Sequence, residues 1–229
     1  MALSVPSTDV RPSPKPQPPL QLTTHRSQPT NLLTSSSLYL QPTTLIAQET
    51  SDPYKFRTFT TETAWTLGTA LRTRLLSLPP SQRKPALISI SLATATASPT
   101  NTPHVLFQCA TEKGTIPDNE NWVRRKRNTV LRWGVSSWAM RMKIAAGLGG
   151  AAVGVSAGDI EGAFVRKFAL ESSSGGAVAD EFAIHGGGWP IRVRGVEGVV
   201  AVVVVSGLKQ EDDHAVVAET IRQVVEEGH

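Results

Sequence analysis

The chain is short of several things, and each shortage removes a class of protein. One cysteine, Cys109, stands among 229 residues, so neither an intrachain disulfide nor a cysteine-rich zinc site can be built. Thiol chemistry of this kind fits a reducing compartment. No apolar run approaches the roughly 18 to 20 residues of a membrane span. The longest, Val199 to Val205, has the length of a buried strand. Acidic residues are nearly missing from the first forty positions, where Asp9 is alone among seven prolines and many Ser and Thr. Such a segment cannot bury apolar area, and residues 1–41 read as a disordered tail. Dense proline opposes the amphipathic helix of an organelle transit peptide. A cytoplasmic location follows, with mitochondrial import as the alternative.

The whole chain is 40% hydrophobic, enough for one good-sized core, which is expected over residues 42–228. Thr60 to Leu78 carries Ala64, Leu67, Leu71 and Leu75 at helical spacing and stops at Pro79-Pro80. Pro85 to Leu92 and His104 to Ala110 read as two strands of a hairpin with an enlarged polar loop. A long helix is predicted over Asp118 to Ile144, capped by Asp118. Short strands follow at Glu181 to Ile184 and Pro190 to Val193. Gly198 to Ser206 is a strand covered on both faces, and Gln210 to Glu227 is a last helix with Glu211, Asp212 and Asp213 in its first turn. Hairpins rather than strict strand–helix alternation imply an α+β domain, helices packed on an antiparallel sheet. Residues 146–176, rich in Gly, Ala and Ser, read as a flexible insertion with a helical turn around Asp159 to Leu170. Gly147-Leu-Gly149-Gly150-Ala-Ala152 mimics a dinucleotide fingerprint, but it follows a helix where that motif needs a strand.

Net charge is +4, and seven basic residues fall between Arg124 and Lys143. On the long helix Arg125, Arg132, Ser136 and Lys143 share a wet face. Lys126, Arg127 and Arg141 project from within an apolar sector that includes Trp122, Trp133 and Trp138. Charges so placed must be paired, snorkel outward, or meet an anionic ligand. No nucleic-acid motif accompanies them, so nucleic acid is not an expected partner.

Three readings of the chemistry stay open. Haem, or another planar anionic ligand, needs an apolar slot, an axial group and cations. His185, Trp189 and the cluster Arg124 to Arg127 supply these types, with Gly186 and Gly187 letting a flat molecule or another backbone approach closely. A metal would recruit His185, His214 and Asp213, the ligand set of a metal-dependent enzyme of unknown reaction. His214 also lies on the apolar stripe of its helix, where a packed histidine is the ordinary outcome. In the third, a scaffold uses Trp122, Arg125, Lys126 and Trp133 as an interface between copies. Nothing demands catalysis: no nucleophile elbow surrounds Ser206, and no catalytic residue is assigned.

Four ordered segments carry a resemblance. They are Leu45-Ile-Ala-Gln-Glu with Thr63-Ala-Trp-Thr-Leu-Gly; Gly114-Thr-Ile-Pro-Asp-Asn-Glu-Asn-Trp-Val-Arg-Arg-Lys-Arg-Asn; His185-Gly-Gly-Gly-Trp-Pro-Ile-Arg-Val; and Ser206-Gly-Leu-Lys-Gln-Glu-Asp-Asp-His. Together they resemble the short, uncharacterised branch of the haem-degrading-domain superfamily, relatives of the GlcG and HbpS-like proteins, with fungal members. The likeness runs over residues 44–226, outside Ala93 to Pro103 and the 146–176 insertion. It implies a profilin-like or PAS-like sandwich, a homo-oligomer, a haem- or tetrapyrrole-type ligand, and a non-catalytic role. The fungal members imply instead an accessory protein with chaperone or protein-targeting partners.

Overall fold

The computed structural model describes residues 41–94, 103–149, 156–171 and 178–229. The tail expected over 1–41 lies outside these apart from its last residue, as do most of the loop from Ala93 to Pro103 and parts of the insertion. In chain order the elements are α1 (Pro42–Glu49), β1 (Lys55–Phe56), α2 (Thr61–Leu76), β2 (Leu87–Leu92), β3 (Val105–Ala110), α3 (Pro117–Trp133), α4 (Ser137–Gly147), α5 (Ala157–Lys167), β4 (Gly188–Val193), β5 (Ala201–Ser206) and α6 (Gln210–Glu226). Short 3-10 turns cover Asp52–Tyr54 and Val178–Glu181.

The strands form one sheet in the order β1-β4-β5-β2-β3. It is antiparallel throughout except for the two-residue β1, which runs parallel to β4. β5 lies in the middle, and its valine run follows from covering on both sides. Ala201, Val203 and Val205 join Leu67 and Leu71 of α2 and Val217 and Ile221 of α6 in the main core. Val202 and Val204 point the other way, onto Val123 and Val130 of α3. Each of the buried valines stabilises the fold by roughly 1.5–3 kcal/mol, so a polar residue between Val202 and Val205 is excluded on one face or the other. The stripe expected on α2 is the buried one, and Thr60 and Thr63 cap that helix reciprocally: the Thr63 N–H donates to Thr60 Oγ1 and the Thr60 N–H to Thr63 Oγ1, both at 3.3 Å.

The predicted long helix is two. Gly134 takes a left-handed conformation (φ 66°) and ends α3, and Ser136 caps α4 by accepting the Ala139 N–H at 3.0 Å. Ser136, placed by periodicity on a wet face, is therefore fully buried. Both sides of the break are satisfied by side chains from elsewhere. Arg192 Nη2 donates to Gly134 O at 2.6 Å, and the Ser136 N–H donates to Glu49 Oε2 at 2.8 Å. The start of α3 also moves. Pro117 occupies the first helical position, and the Ile116 N–H donates to Asn119 Oδ1 at 2.9 Å, which displaces Asp118 from the cap.

Glu49 gives the break a measurable signature. Its carboxyl is 1% exposed, and burial pushes its pKa from 4.5 to about 7, against the opposing Ser136 bonds and the charge of Arg192. Between these values the folded chain holds a proton that the unfolded chain has lost, so this group makes stability fall as pH rises through the window. His185 and His214 slope the other way below pH 6.5, because burial lowers both. The comparison must therefore be a difference: from pH 4.5 to 8, Glu49→Gln should gain on the wild type by about 3 kcal/mol in urea melts. A pH-independent difference would refute the assignment.

Two further expectations change. Glu181 to Ile184 is not a strand. The Ala183 N–H donates to Arg125 O and to Thr129 Oγ1, both at 3.1 Å, so the segment is stitched to α3 rather than to the sheet. The described part of the insertion is more than a flexible turn: α5 is capped by Ser156 and packs Ile160 and Phe164 against Met140, Ile144 and Ile184.

Candidate functional site

The glycine run His185-Gly186-Gly187-Gly188 is shaped by the chain's own backbone. A Cβ on Gly186 would stand 2.0 Å from Gln210 O, at the start of α6. On Gly187, whose φ is +114°, it would stand 2.2 Å from Val205 O. On Gly188 it would stand 3.1 Å from Val130 Cγ2 of α3. This loop is the place where α3, β5 and α6 converge, and that convergence encloses the site.

At this corner a cleft of about 470 Å³ opens where β5 leaves the sheet. Its floor is an ion pair. Lys126 Nζ donates to Asp213 Oδ2 and to Val205 O, both at 3.0 Å, with the two side chains 4% and 2% exposed. Asp213 also accepts the Leu208 N–H at 3.1 Å and the Gly207 N–H at 3.4 Å, which fixes the Ser-Gly-Leu turn. Burial pushes the Asp213 carboxyl up, while Lys126 and the two amides pull it back. Of the three fates open to a charge in an apolar sector, Lys126 has taken pairing.

His185 and Trp122 form the wall, ring centroids 4.8 Å apart and edge to face. Trp122 Nε1 donates to Asp118 Oδ2 at 3.2 Å, and the Arg125 guanidinium lies 4.9 Å over the indole. Burial, and after it the positive charges of Arg141, Lys126 and Arg125, lowers the His185 pKa to about 4. The ring is therefore neutral at neutral pH, and its contact with Glu161 (Nε2 to Oε1, 3.3 Å) is not an ion pair. Nδ1 is buried with no hydrogen-bond partner, as is Gln210 Oε1 on the cleft lining. Pro85, Ile116 and Leu208 supply apolar surface, and exposed Lys84 supplies a cation.

The other candidate residues are distributed differently. Trp189 is 1% exposed and points to the opposite face of the sheet, between Tyr54 and His214 (5.5 and 5.4 Å). His214 stacks there between Trp189 and Trp138, and burial alone lowers its pKa to about 3. His185, His214 and Asp213 are thus not assembled as a ligand set. Among the described residues no group of three His, Cys, Asp or Glu is arranged to hold a metal. Arg124 pairs with Glu181 on the surface. Arg127 is buried off the cleft, its Nη1 unpartnered and its pKa lowered by burial against the charge of Glu120. Trp133 packs with Phe164, Phe168 and Phe182. Sequence reasoning missed Lys84, Asn119, Gln210 and Glu161. Arg141 was singled out by its position inside an apolar sector, but not as a site residue.

A five-stranded, mainly antiparallel sheet covered by helices on both faces, with a histidine–tryptophan cleft at one corner, makes this an α+β sandwich. Within that class the chain belongs to the HbpS-like family, described as haem degrading protein HbpS-like, whose model matches residues 59–222. It is 34% identical over 175 residues to a UPF0303 protein of Sinorhizobium medicae, covering 76% of this chain and 85% of the relative. A UPF0303 protein of Streptomyces coelicolor is 31% identical over 186 residues, 81% of this chain and 96% of the relative. The crystal structure of Ybr137w protein is similar with a TM-score of 0.64 and 29% identity, covering 84% of this chain and 91% of that one. Among the described residues no helix is long and apolar enough to cross a membrane.

Proposed function

We propose that the chain binds a planar, acidic small molecule of the tetrapyrrole class, haem included, in the cleft walled by Trp122 and His185. One observation carries this reading: a neutral, partly exposed imidazole set edge to face against Trp122 on the wall of a cleft of about 470 Å³. Ligand sites typically measure about 300–1,000 Å³ and combine apolar walls with a few convergent polar groups. The residues present fit haem on these grounds. Trp122, Pro85, Ile116 and Leu208 offer flat apolar surface, Lys84 offers a cation to an acid arm, and His185 offers a nitrogen of the kind that holds haem iron. Bound there, haem would supply redox-active iron. The chain's own residues would orient the macrocycle and keep one face of it dry. The family description supports the same chemistry, and the reading is of binding rather than of a particular reaction.

Haemin titrated into the purified protein should displace the Soret band and saturate at one equivalent per chain. An unaltered spectrum at micromolar haemin would overturn the proposal.

A further inference from the structure

Beside the cleft lies a smaller cavity of about 190 Å³ that shares Trp122 and His185 with it. Its other walls include Arg125, Glu161, Phe164 and Phe182, with Asp180 exposed at its edge. Behind it sits Arg141 of α4, whose side chain is 5% exposed and whose Nη1 has no hydrogen-bond partner. Buried guanidinium groups are as a rule paired in proteins, because desolvation of the charge must be offset. The carboxylate available to this one is Glu161 of α5, and it is a poor match. A single oxygen, Oε1, stands 3.7 Å from Arg141 Nη1 and 3.3 Å from His185 Nε2, on a side chain that is 46% exposed. Well-made arginine–carboxylate pairs close to about 2.7–2.9 Å and are frequently bidentate. The corner is therefore shaped for a carboxylate, and the one now in it arrives on a surface side chain at stretched distances.

We propose that Arg141 and His185 form a carboxylate-binding subsite, and that Glu161 is its tethered internal occupant, displaced when the acid group of a ligand enters. The groups facing the corner agree in sign. Arg141 and Arg125 are cationic, Lys126 is neutralised by Asp213, and among the described residues Glu161 and the peripheral Asp180 oppose them. Phe164 and Phe182 would cover the aliphatic stem of a propionate-like arm. Glu161 then acts as a competitor built into the chain. It weakens binding of every acid that needs Arg141, and it keeps the guanidinium from standing alone when no ligand is present. This deepens the cleft reading, on which the tetrapyrrole identity rests, but the subsite itself is testable without any porphyrin.

Sodium propionate is the probe, and the His185 ring resonances are the readout. In Glu161→Ala, propionate should shift those resonances saturably and bind at least about tenfold more tightly than in the wild type, a difference of about 1.4 kcal/mol. Adding Arg141→Met to that variant should abolish the shift. If Glu161→Ala does not fold, Glu161→Gln, which keeps the size and loses the charge, serves in its place. Equal propionate affinity in wild type and variant, or no shift in either, would overturn the proposal. Haemin and its dimethyl ester separate the sources of the acid. A propionate arm of the macrocycle is indicated if Glu161→Ala tightens haemin alone. A free short-chain acid is indicated if propionate binds and neither porphyrin does, which sinks the tetrapyrrole reading and leaves the subsite standing. If both porphyrins bind wild type and variant alike while propionate is silent, the subsite falls and the cleft reading survives.

Discussion

Gly187→Ala should cost more than about 4 kcal/mol in a urea melt, a loss that removes most of the stability of a domain at the lower end of the usual range of about 5–15 kcal/mol. Two independent penalties meet at this position. The backbone is at φ +114°, where an L side chain is strained, and the added Cβ would lie 2.2 Å from the carbonyl of Val205 in the central strand. The obstacle is backbone, so no rotamer change relieves it. Gly195→Ala is the control. That glycine also has positive φ (+73°), but nothing lies within 4 Å of its Cβ direction, so only the conformational penalty of about 1–2 kcal/mol applies. If the two variants melt alike, the His-Gly-Gly loop is not the packing node described above.

Lys126→Met should cost about 3–5 kcal/mol, the usual consequence of stripping one partner from a buried ion pair. The penalty comes from Asp213, left as a buried carboxylate with only the Gly207 and Leu208 amides to compensate it. Its pKa must then rise further above that of the unfolded chain. The folded variant holds a proton that the unfolded form releases, so the deficit shrinks as pH falls and grows as pH rises toward neutrality. Lys126→Met/Asp213→Asn should recover more than half of the loss, since asparagine carries no charge and its one oxygen can still accept the Leu208 amide. A single substitution that costs less than about 1 kcal/mol would mean that the pair is solvated in solution.

These experiments also bear on how far the sequence could be read. α2 and α6 were legible because their buried stripes repeat at 3.6 residues, β2 and β5 because short β-branched runs are bounded by turns, and Pro79, Gly207 and the acidic first turn of α6 mark the ends. The break at Gly134 was harder to see, since apolar residues continue at helical phase on both sides and the Gly-Val-Ser cap pair is a three-residue signal inside a strong periodic one. What closes that break, Glu49 and Arg192, comes from α1 and β4 and is visible only in three dimensions. The same holds for the site. His185 and Trp122 stood out by residue type, and Lys126 and Arg141 by charges in an apolar sector. Glu161 belongs to a Gly- and Ala-rich stretch that offered no reason to place it against either. Trp189 misled for a local reason: alternation along β4 sends it to the face of the sheet opposite the loop that precedes it.

The claim that the Trp122–His185 cleft is the ligand site is tested most directly by one comparison, the haemin affinity of the wild type against that of His185→Ala. The substitution removes the imidazole that lines the cleft beside Trp122, so affinity should fall at least about tenfold while the melt stays within about 1 kcal/mol of the wild type. Haemin binding of equal strength in both proteins would contradict the account.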